Sequence, residues 1–146
     1  MKMATQPLSQ CPCQSGAGYD ACCGLWHVGL PLGLHAPTPQ ALMRSRYSAY
    51  VRLRADYLRA TWHPSTAPVE LELAPGNWLG LELRAAQVDG DTGLVEFVAR
   101  WREGGRAQRL HERSRFVRES ARWYYLDGQI IESRKHHRTV AVKAVP

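Results

Sequence analysis

The stretch CPCQSGAGYDACCG, residues 11–24, contains every cysteine of the 146-residue chain. The four are Cys11, Cys13, Cys22 and Cys23. Four thiolates in a short loop complete the tetrahedral shell of one Zn²⁺, which is typical of structural rather than catalytic zinc sites. Gly16 and Gly18 permit the positive φ angles of a tight loop. The stretch, called the cysteine loop below, therefore predicts a closed site for one Zn²⁺.

Disulfide bonds are the competing interpretation of these thiols. One residue separates Cys11 from Cys13, and none separates Cys22 from Cys23, so bridges within each pair would be strained and two bridges between the pairs would be needed. Residues 1–10, MKMATQPLSQ, lack the apolar segment of a secretory signal. We therefore expect a cytoplasmic protein, in which clustered thiols favour metal over disulfides.

The spacing Cys-x-Cys-x8-Cys-Cys resembles the SEC-C motif, a small zinc module known from the C-terminal tail of the SecA export ATPase. Further matching residues are Pro12, Ser15, Gly16 and Tyr19. The resemblance implies that Cys23 is the last ligand, where the family has His or Cys. Gln14 departs from the family's usual Gly. In SecA-type proteins the motif is associated with chaperone and ribosome contacts, so the resemblance implies a zinc-binding interaction or adaptor protein whose partner is a protein or the ribosome.

The helical part of the pattern precedes the strands. Residues 25–38 are rich in Gly and Pro and lack periodicity, which predicts a linker packed on the main domain through Leu25, Trp26, Leu30 and Leu32. Thr38 and Pro39 suit the cap and first position of a helix. Its apolar stripe is predicted to be Met43, Tyr47, Tyr50 and Val51, continuing to Arg54.

A second, shorter helix is expected from about Asp56, carrying Tyr57, Leu58 and Trp62 and ending at His63-Pro64. A connector with an extended piece, Val69 to Leu73, follows. From Trp78 the period changes to two, which predicts strands near 78–88, 94–103, 106–119 and 122–127. Short turns between long strands make an antiparallel meander. The predicted class is α+β, with helices covering one face of a curved sheet.

Strand alternation assigns the two faces of this sheet. Val95, Phe97, Ala99 and Trp101 share one face. In the next strand, the inward set is predicted to be Leu110, Glu112, Ser114 and Phe116. The outward set is Arg109, His111, Arg113 and Arg115. The prediction is therefore an apolar inner face and a strongly basic outer face.

Five motifs resemble the YchJ family of small bacterial SEC-C proteins. They are MRSRYSAY (43–50), ATWHPST (60–66), WLGLEL (78–83), HERSRF (111–116) and WYYLDG (123–128). The resemblance implies a nuclear-transport-factor-2-like (cystatin-like) middle domain, a cone of curved sheet wrapped by helices. Cone folds of this class often pair through the open sheet face, so a homodimer is possible in principle. Some members carry a second SEC-C motif near the C-terminus, and the final residues here, ESRKHHRTVAVKAVP, contain none.

The expected organisation has four parts. They are a SEC-C zinc-binding motif (1–24), a linker (25–38), a nuclear-transport-factor-2-like domain (39–128) and a basic tail (129–146). The motif is expected to stand beside the helix-covered sheet as a separate module. No apolar run approaches the ~20 residues of a membrane span, so no membrane partner is expected.

Glu112 is the most unusual residue of the predicted inner face. A carboxyl group among apolar side chains must be paired or have a raised pKa. Candidate neighbours in a pocket are Arg44, Arg46, His63 and Tyr125. One hypothesis is a structural ion pair or hydrogen-bonded network between the first helix and the sheet, with Arg44 or Arg46 as the partner. The alternative is a small-molecule-binding or enzymatic cone in which Glu112 acts as a general base.

Catalysis is otherwise not indicated, since the chain contains no P-loop, dinucleotide fingerprint, Ser-His-Asp pattern or nucleophile elbow. The net charge of +6, from 19 basic and 13 acidic residues, leaves RNA or ribosome binding through the basic sheet face and tail as a third hypothesis. Aromatic residues do not interleave with the basic run at 134–138, so base stacking is not implied.

Overall fold

A four-stranded antiparallel sheet with helices on one face forms the main part of the protein. The computed structural model describes residues 10–131. The strands are β1 (Asn77–Asp89), β2 (Thr92–Glu103), β3 (Arg106–Glu119) and β4 (Arg122–Ile130), in the order β1-β2-β3-β4. The helices are α1 (Cys23–Gly29), α2 (Pro39–Val51) and α3 (Ala55–Ala60). The predicted α+β class and the meander are confirmed. The leader and most of the predicted tail lie outside the described residues.

Bulges bend the outer strands of the sheet but leave β3 regular. The register gives β1 one extra residue at Leu79 and another at Arg84, and gives β4 an extra residue at Leu126. Such insertions increase local twist and bending. Because β3 keeps its alternation, Glu112 and Ser114 face inward and are buried, as predicted.

Helix α2 begins where the sequence indicates. The Thr38 hydroxyl accepts a hydrogen bond from the Ala41 amide at 3.0 Å, and Pro39 occupies the first helical position. Met43, Tyr47 and Tyr50 are buried, which confirms most of the predicted stripe. The helix therefore covers the inner face of the sheet.

Helix α3 is shorter than expected. It ends at Ala60, so the prediction that it carries Trp62 is wrong. The chain instead runs beside β4. The His63 amide donates to the Tyr125 carbonyl at 2.8 Å, and the Tyr125 amide donates to Thr61 at the same distance. These backbone bonds with β4 place the Trp62 ring 5.2 Å from that of Tyr125.

Two connecting segments also differ from expectation. Part of the predicted linker is helix α1, followed by a 3-10 turn at Leu30–Leu32. Trp26 and Leu30 pack against the core, whereas Leu25 and Leu32 are 45% and 79% exposed. The predicted extended piece from Val69 pairs with no strand in the described part of the chain.

The cysteine loop belongs to the same buried cluster as α2 and the sheet. Cys11, Cys13 and Cys23 are buried there together with Met43 and Tyr47. The expectation of a module standing apart from the sheet is therefore replaced by one continuous core. Within residues 10–131 no helix has the length and apolarity that crossing a bilayer requires.

Candidate functional site

The four cysteine sulfurs converge on one point. All four Sγ atoms lie within 4.8 Å of one another, and those of Cys13 and Cys22 are 3.7 Å apart. A tetrahedron with Zn–S bonds of about 2.3 Å separates its sulfurs by about 3.8 Å. The cysteines are free thiols rather than disulfides. The donor set therefore fits one four-coordinate metal ion.

Turn geometry brings the sulfurs together. The Cys11 amide donates to the Ala17 carbonyl, and the Gln14 amide donates to the Cys11 carbonyl, each at 3.0 Å. Gln14 has a φ of 65°, a left-handed conformation in which Gly is less strained. Its side-chain oxygen accepts from the Leu81 amide at 3.4 Å, so this residue also ties the loop to β1.

Helix α2 holds the loop from the other side. Arg44 Nη1 donates to the Cys13 carbonyl at 2.9 Å, and the Ser48 hydroxyl lies 3.5 Å from Cys11 Sγ. His27 Nε2 donates to the Ser45 carbonyl at 2.8 Å, while its Nδ1 accepts from the Tyr19 hydroxyl. Burial lowers the pKa of His27, so the ring is neutral in this network. These contacts attach the N-terminal segment to α2.

The pKa values of the thiols show that, without a metal, the loop must hold protons that a cation would displace. Hydrogen bonding with Cys13 lowers the pKa of Cys11, whereas hydrogen bonding with Cys11 raises the pKa of Cys23. Burial raises the pKa of Cys22. Close, buried sulfurs cannot all ionise without a positive charge among them, and a bound metal displaces their protons.

A second feature is a cavity of about 760 Å³ beneath the connector between α3 and β1. Its aromatic walls are Tyr50, Trp62, Trp78 and Tyr125, and Glu112 lies among them. Leu71 and Leu73 close it from the connector side. Both the volume and the mainly apolar lining are typical of small-molecule sites. We call it the sheet cavity.

Glu112 sits on the floor of the sheet cavity and is only 7% exposed. One carboxyl oxygen accepts from the Ser114 hydroxyl at 3.2 Å. The other packs on Gly128, where any β-carbon would collide with it. Burial raises the pKa of Glu112 to about 8. The absence of a side chain at Gly128 therefore leaves room for the Glu112 carboxyl. In the sequence, Gly128 is only the last residue of a strand motif.

Arg46 lies directly behind the aromatic wall and is fully buried. Its Nη1 donates to the Leu58 carbonyl at 2.9 Å and to the Thr61 hydroxyl at 2.8 Å. The guanidinium carbon is 4.8 Å from the centre of the Trp62 ring and 4.4 Å from that of Tyr125. Among residues 10–131 it forms no ion pair, so the hypothesis of a direct pair between Glu112 and Arg44 or Arg46 is wrong.

The structure separates the five residues proposed for one pocket. Glu112 and Tyr125 line the sheet cavity, and Arg46 supports its wall. Arg44 serves the cysteine loop instead. His63 points to the surface, where its Nε2 lies 2.9 Å from a carboxylate oxygen of Glu119. Tyr50, Trp62 and Trp78 also line the cavity. The sequence analysis did not include them in the pocket, because it placed Tyr50 on the apolar stripe of the first helix, Trp62 on the second helix and Trp78 at the start of a strand.

Ion pairs reduce the positive charge of the outer sheet face. Glu82 pairs with Arg84 and Arg100, and Glu96 pairs with His111 and Arg113. Arg115 pairs with Asp127 on the same face, and Arg118 pairs with Asp91 at the end of the sheet. The outward positions of the β3 arginines are confirmed. Their charge is shared with carboxylates, which leaves less of it available to phosphate groups.

Replacement of Glu112 by Gln is expected to remove a pH-dependent loss of stability. The pKa of Glu112 rises from its ordinary value of 4.5 to about 8 in the folded protein, so only the folded state keeps the proton between these values. Stability is therefore lost as the pH rises through this window, by about 3 to 5 kcal/mol. Urea unfolding at pH 5 and pH 8 measures the difference. From pH 5 to pH 8, the free energy of unfolding of Glu112→Gln relative to that of the unchanged protein should increase by that amount.

A matched control for this prediction is Glu70→Gln, at an exposed carboxylate on the rim of the sheet cavity. Its stability relative to the unchanged protein should stay constant across the same pH range. A constant difference for Glu112→Gln as well would contradict the assignment of a buried, protonated carboxyl.

Two solved structures described as SEC-C motif containing proteins resemble this protein in fold. A solution structure from Rhodopseudomonas palustris, titled a SEC-C motif containing protein, superposes with a TM-score of 0.71 and 36% identity. The match covers 84% of this chain and 98% of that one. A crystal structure from Psychrobacter arcticus gives 0.70 and 28%, covering 89% and 88%. The protein is thus similar in fold to SEC-C motif proteins.

The chain belongs to the YchJ family, because residues 38–128 match the domain described as "YchJ, middle NTF2-like domain". A UPF0225 protein of Bordetella parapertussis is 54% identical over 133 residues, covering 89% of this chain and 99% of that relative. A UPF0225 protein of Polaromonas naphthalenivorans is 63% identical over 112 residues, covering 75% and 80%. The expected family and nuclear-transport-factor-2-like fold are confirmed.

Proposed function

We propose that the chain binds one structural Zn²⁺ through Cys11, Cys13, Cys22 and Cys23 and acts as an interaction protein. The observation that carries the proposal is the convergence of four sulfurs within 4.8 Å. Four thiolates leave no open coordination position for a substrate. Cys13 and Cys23 are also almost completely buried, at 0% and 1% exposure. The metal therefore shapes the loop and takes no part in a reaction.

The contact surface of this proposal is the outer side of α1 and the turn after it. Leu25, Val28 and Leu32 are 45%, 64% and 79% exposed along this short segment. Grouped exposed apolar side chains favour a protein contact. Arg52 and Arg54 flank the same region, since Arg52 lies 4.0 Å from the Tyr19 ring and Arg54 donates to the His27 carbonyl. The expected partner is a protein with an apolar patch bordered by acidic residues.

Metal content is the first test of the proposal. Elemental analysis of the protein purified from cells should give one zinc per chain. The Cys22→Ser/Cys23→Ser variant should contain none, because two of its four sulfur ligands are gone. Cobalt substitution should give the visible absorption of a tetrahedral thiolate site in the unchanged protein alone. Absence of a bound metal from the unchanged protein would refute the metal site.

Affinity capture from cell extract tests the interaction role separately. We compare the unchanged protein with Cys22→Ser/Cys23→Ser and with Leu25→Ser/Val28→Ser, which keeps all four ligands. Val88→Ser is the matched control, because Val88 is 51% exposed at the far end of β1. Captured proteins should be lost with both double variants and kept with the control. The same partners in every sample would exclude the cysteine loop and α1 as the contact surface, and captured ribosomes would identify a ribosomal partner.

A further inference from the structure

Three residues at the sheet cavity have buried polar atoms without hydrogen-bond partners. Within residues 10–131 these atoms are the Tyr50 hydroxyl, Trp78 Nε1, and Nε and Nη2 of Arg46. Tyr50 and Trp78 line the cavity, and Arg46 lies against the rings of two other lining residues. Buried polar groups in proteins are nearly always satisfied. Tyr50 and Trp78 belong to the lining, which indicates that a bound molecule supplies the partners of their two buried groups, whereas Arg46 acts on it through its charge.

The chemistry of these groups restricts that molecule. Indole and guanidinium nitrogens only donate hydrogen bonds, and the guanidinium carries a full positive charge. The bound molecule must therefore present acceptors, and a negative charge suits the buried Arg46 best. Tyr50 lines the cavity together with Glu112. With its carboxyl protonated, Glu112 adds another donor there.

The remaining walls of the cavity favour a ligand with a flat, apolar ring. Four aromatic side chains surround it: Tyr50, Trp62, Trp78 and Tyr125. Aromatic rings pack against such walls with edge-to-face or offset geometry. Glu70 and Glu72 on the connector are exposed, whereas Leu71 and Leu73, which alternate with them, are half-buried. The rim carboxylates are therefore screened by solvent, and the positive charge acts at the inner end.

We propose that the sheet cavity binds a small aromatic carboxylate, with its ring against the aromatic wall and its acid group at Tyr50 and Trp78. The guanidinium of Arg46 lies behind this wall and stabilises the negative charge. The inference goes beyond the proposed interaction role, because it uses none of the metal ligands and no residue of α1. Failure of one proposal leaves the other unaffected.

Indole N–H resonances provide a direct test, because the chain has five tryptophans. The metal-loaded protein, labelled with ¹⁵N, is titrated with benzoate and cinnamate, and with benzamide and benzylamine as neutral and cationic counterparts. Trp78→Phe identifies the Trp78 signal. Both carboxylates should shift the Trp78 and Trp62 signals, and Trp123, which does not line the cavity, should not respond. Benzamide and benzylamine should bind about tenfold more weakly or not at all.

A pair of tyrosine variants tests the contact atom. Tyr50→Phe keeps the ring and removes the buried hydroxyl, so affinity for benzoate should fall about tenfold. Tyr124→Phe is the matched control, because Tyr124 packs edge-to-face against His63 away from the sheet cavity, and the affinity of this variant should not change. The amide spectra of both variants report whether the fold is kept.

The titration of the unchanged protein decides the proposal even if a variant fails to fold. Absence of a response to both carboxylates, or tighter binding of benzylamine, would overturn it. So would an unchanged affinity in a folded Tyr50→Phe protein. Gly128→Ala gives an independent result, because its methyl group must displace the Glu112 carboxyl and should alter benzoate affinity.

Discussion

Removal of the metal is expected to destabilise the whole protein, by more than about 5 kcal/mol. Cys11, Cys13 and Cys23 are part of the buried cluster that also contains Met43 and Tyr47 of α2, and the half-buried Cys22 packs against it. Without a cation, the loop must keep its thiols protonated or separate them, and either change disturbs this cluster. Chelation at neutral pH followed by urea unfolding measures the loss. Addition of Zn²⁺ should restore the original curve.

The shape of the transition distinguishes an integral loop from an appended one. If the loop shares the core, tryptophan fluorescence of the sheet and far-ultraviolet circular dichroism should change together in one transition. Ser15→Ala is the control, since it removes a hydroxyl 3.2 Å from Cys22 Sγ and keeps all four ligands. Its stability should change by less than about 1 kcal/mol. A chelated protein with an unchanged sheet transition would contradict the prediction.

Arg46→Ala should have the second large effect, a loss of about 4 kcal/mol in the free energy of unfolding. The substitution removes hydrogen bonds to Leu58 and Thr61 and contacts with two aromatic rings, and it leaves a void beneath α2. Urea unfolding of the metal-loaded protein measures the loss.

Two further variants sharpen this test. Arg46→Met fills most of the same volume without a buried charge, so it should lose less than about 2 kcal/mol. Arg59→Ala removes an exposed arginine from the last turn of α3 and should be nearly neutral. Equal losses for the alanine and methionine substitutions would show that charge, rather than volume, sets the contribution of Arg46.

Short-range patterns explain what the sequence could predict. Alternation has a fixed period of two, so the inward position of Glu112 followed from its neighbours in β3. The spacing of the four cysteines and the glycines between them likewise indicated one shared centre. Both predictions depend on residues close together in the chain.

Long-range packing explains what the sequence could not predict. Residues 69–73 alternate, which predicted an extended piece, but nothing in this local pattern indicated that the connector would close a cavity over Tyr50 and Trp78. The turn of the chain after Ala60 depends on β4, which is remote in sequence. One error was avoidable, because Arg44 and Arg46 are two positions apart on a helix and must point to different sides.

Helix α2 is only 13 residues long, yet it contacts both the cysteine loop and the sheet cavity. Arg44 and Ser48, one turn apart, face the sulfurs, while Arg46 and Tyr50, also one turn apart, face the opposite side. A rotation or translation of α2 therefore moves residues of the cysteine-loop site and of the sheet cavity together. If binding in the sheet cavity shifts α2, it will also change metal affinity, and thermodynamic reciprocity will make the two effects equal in size.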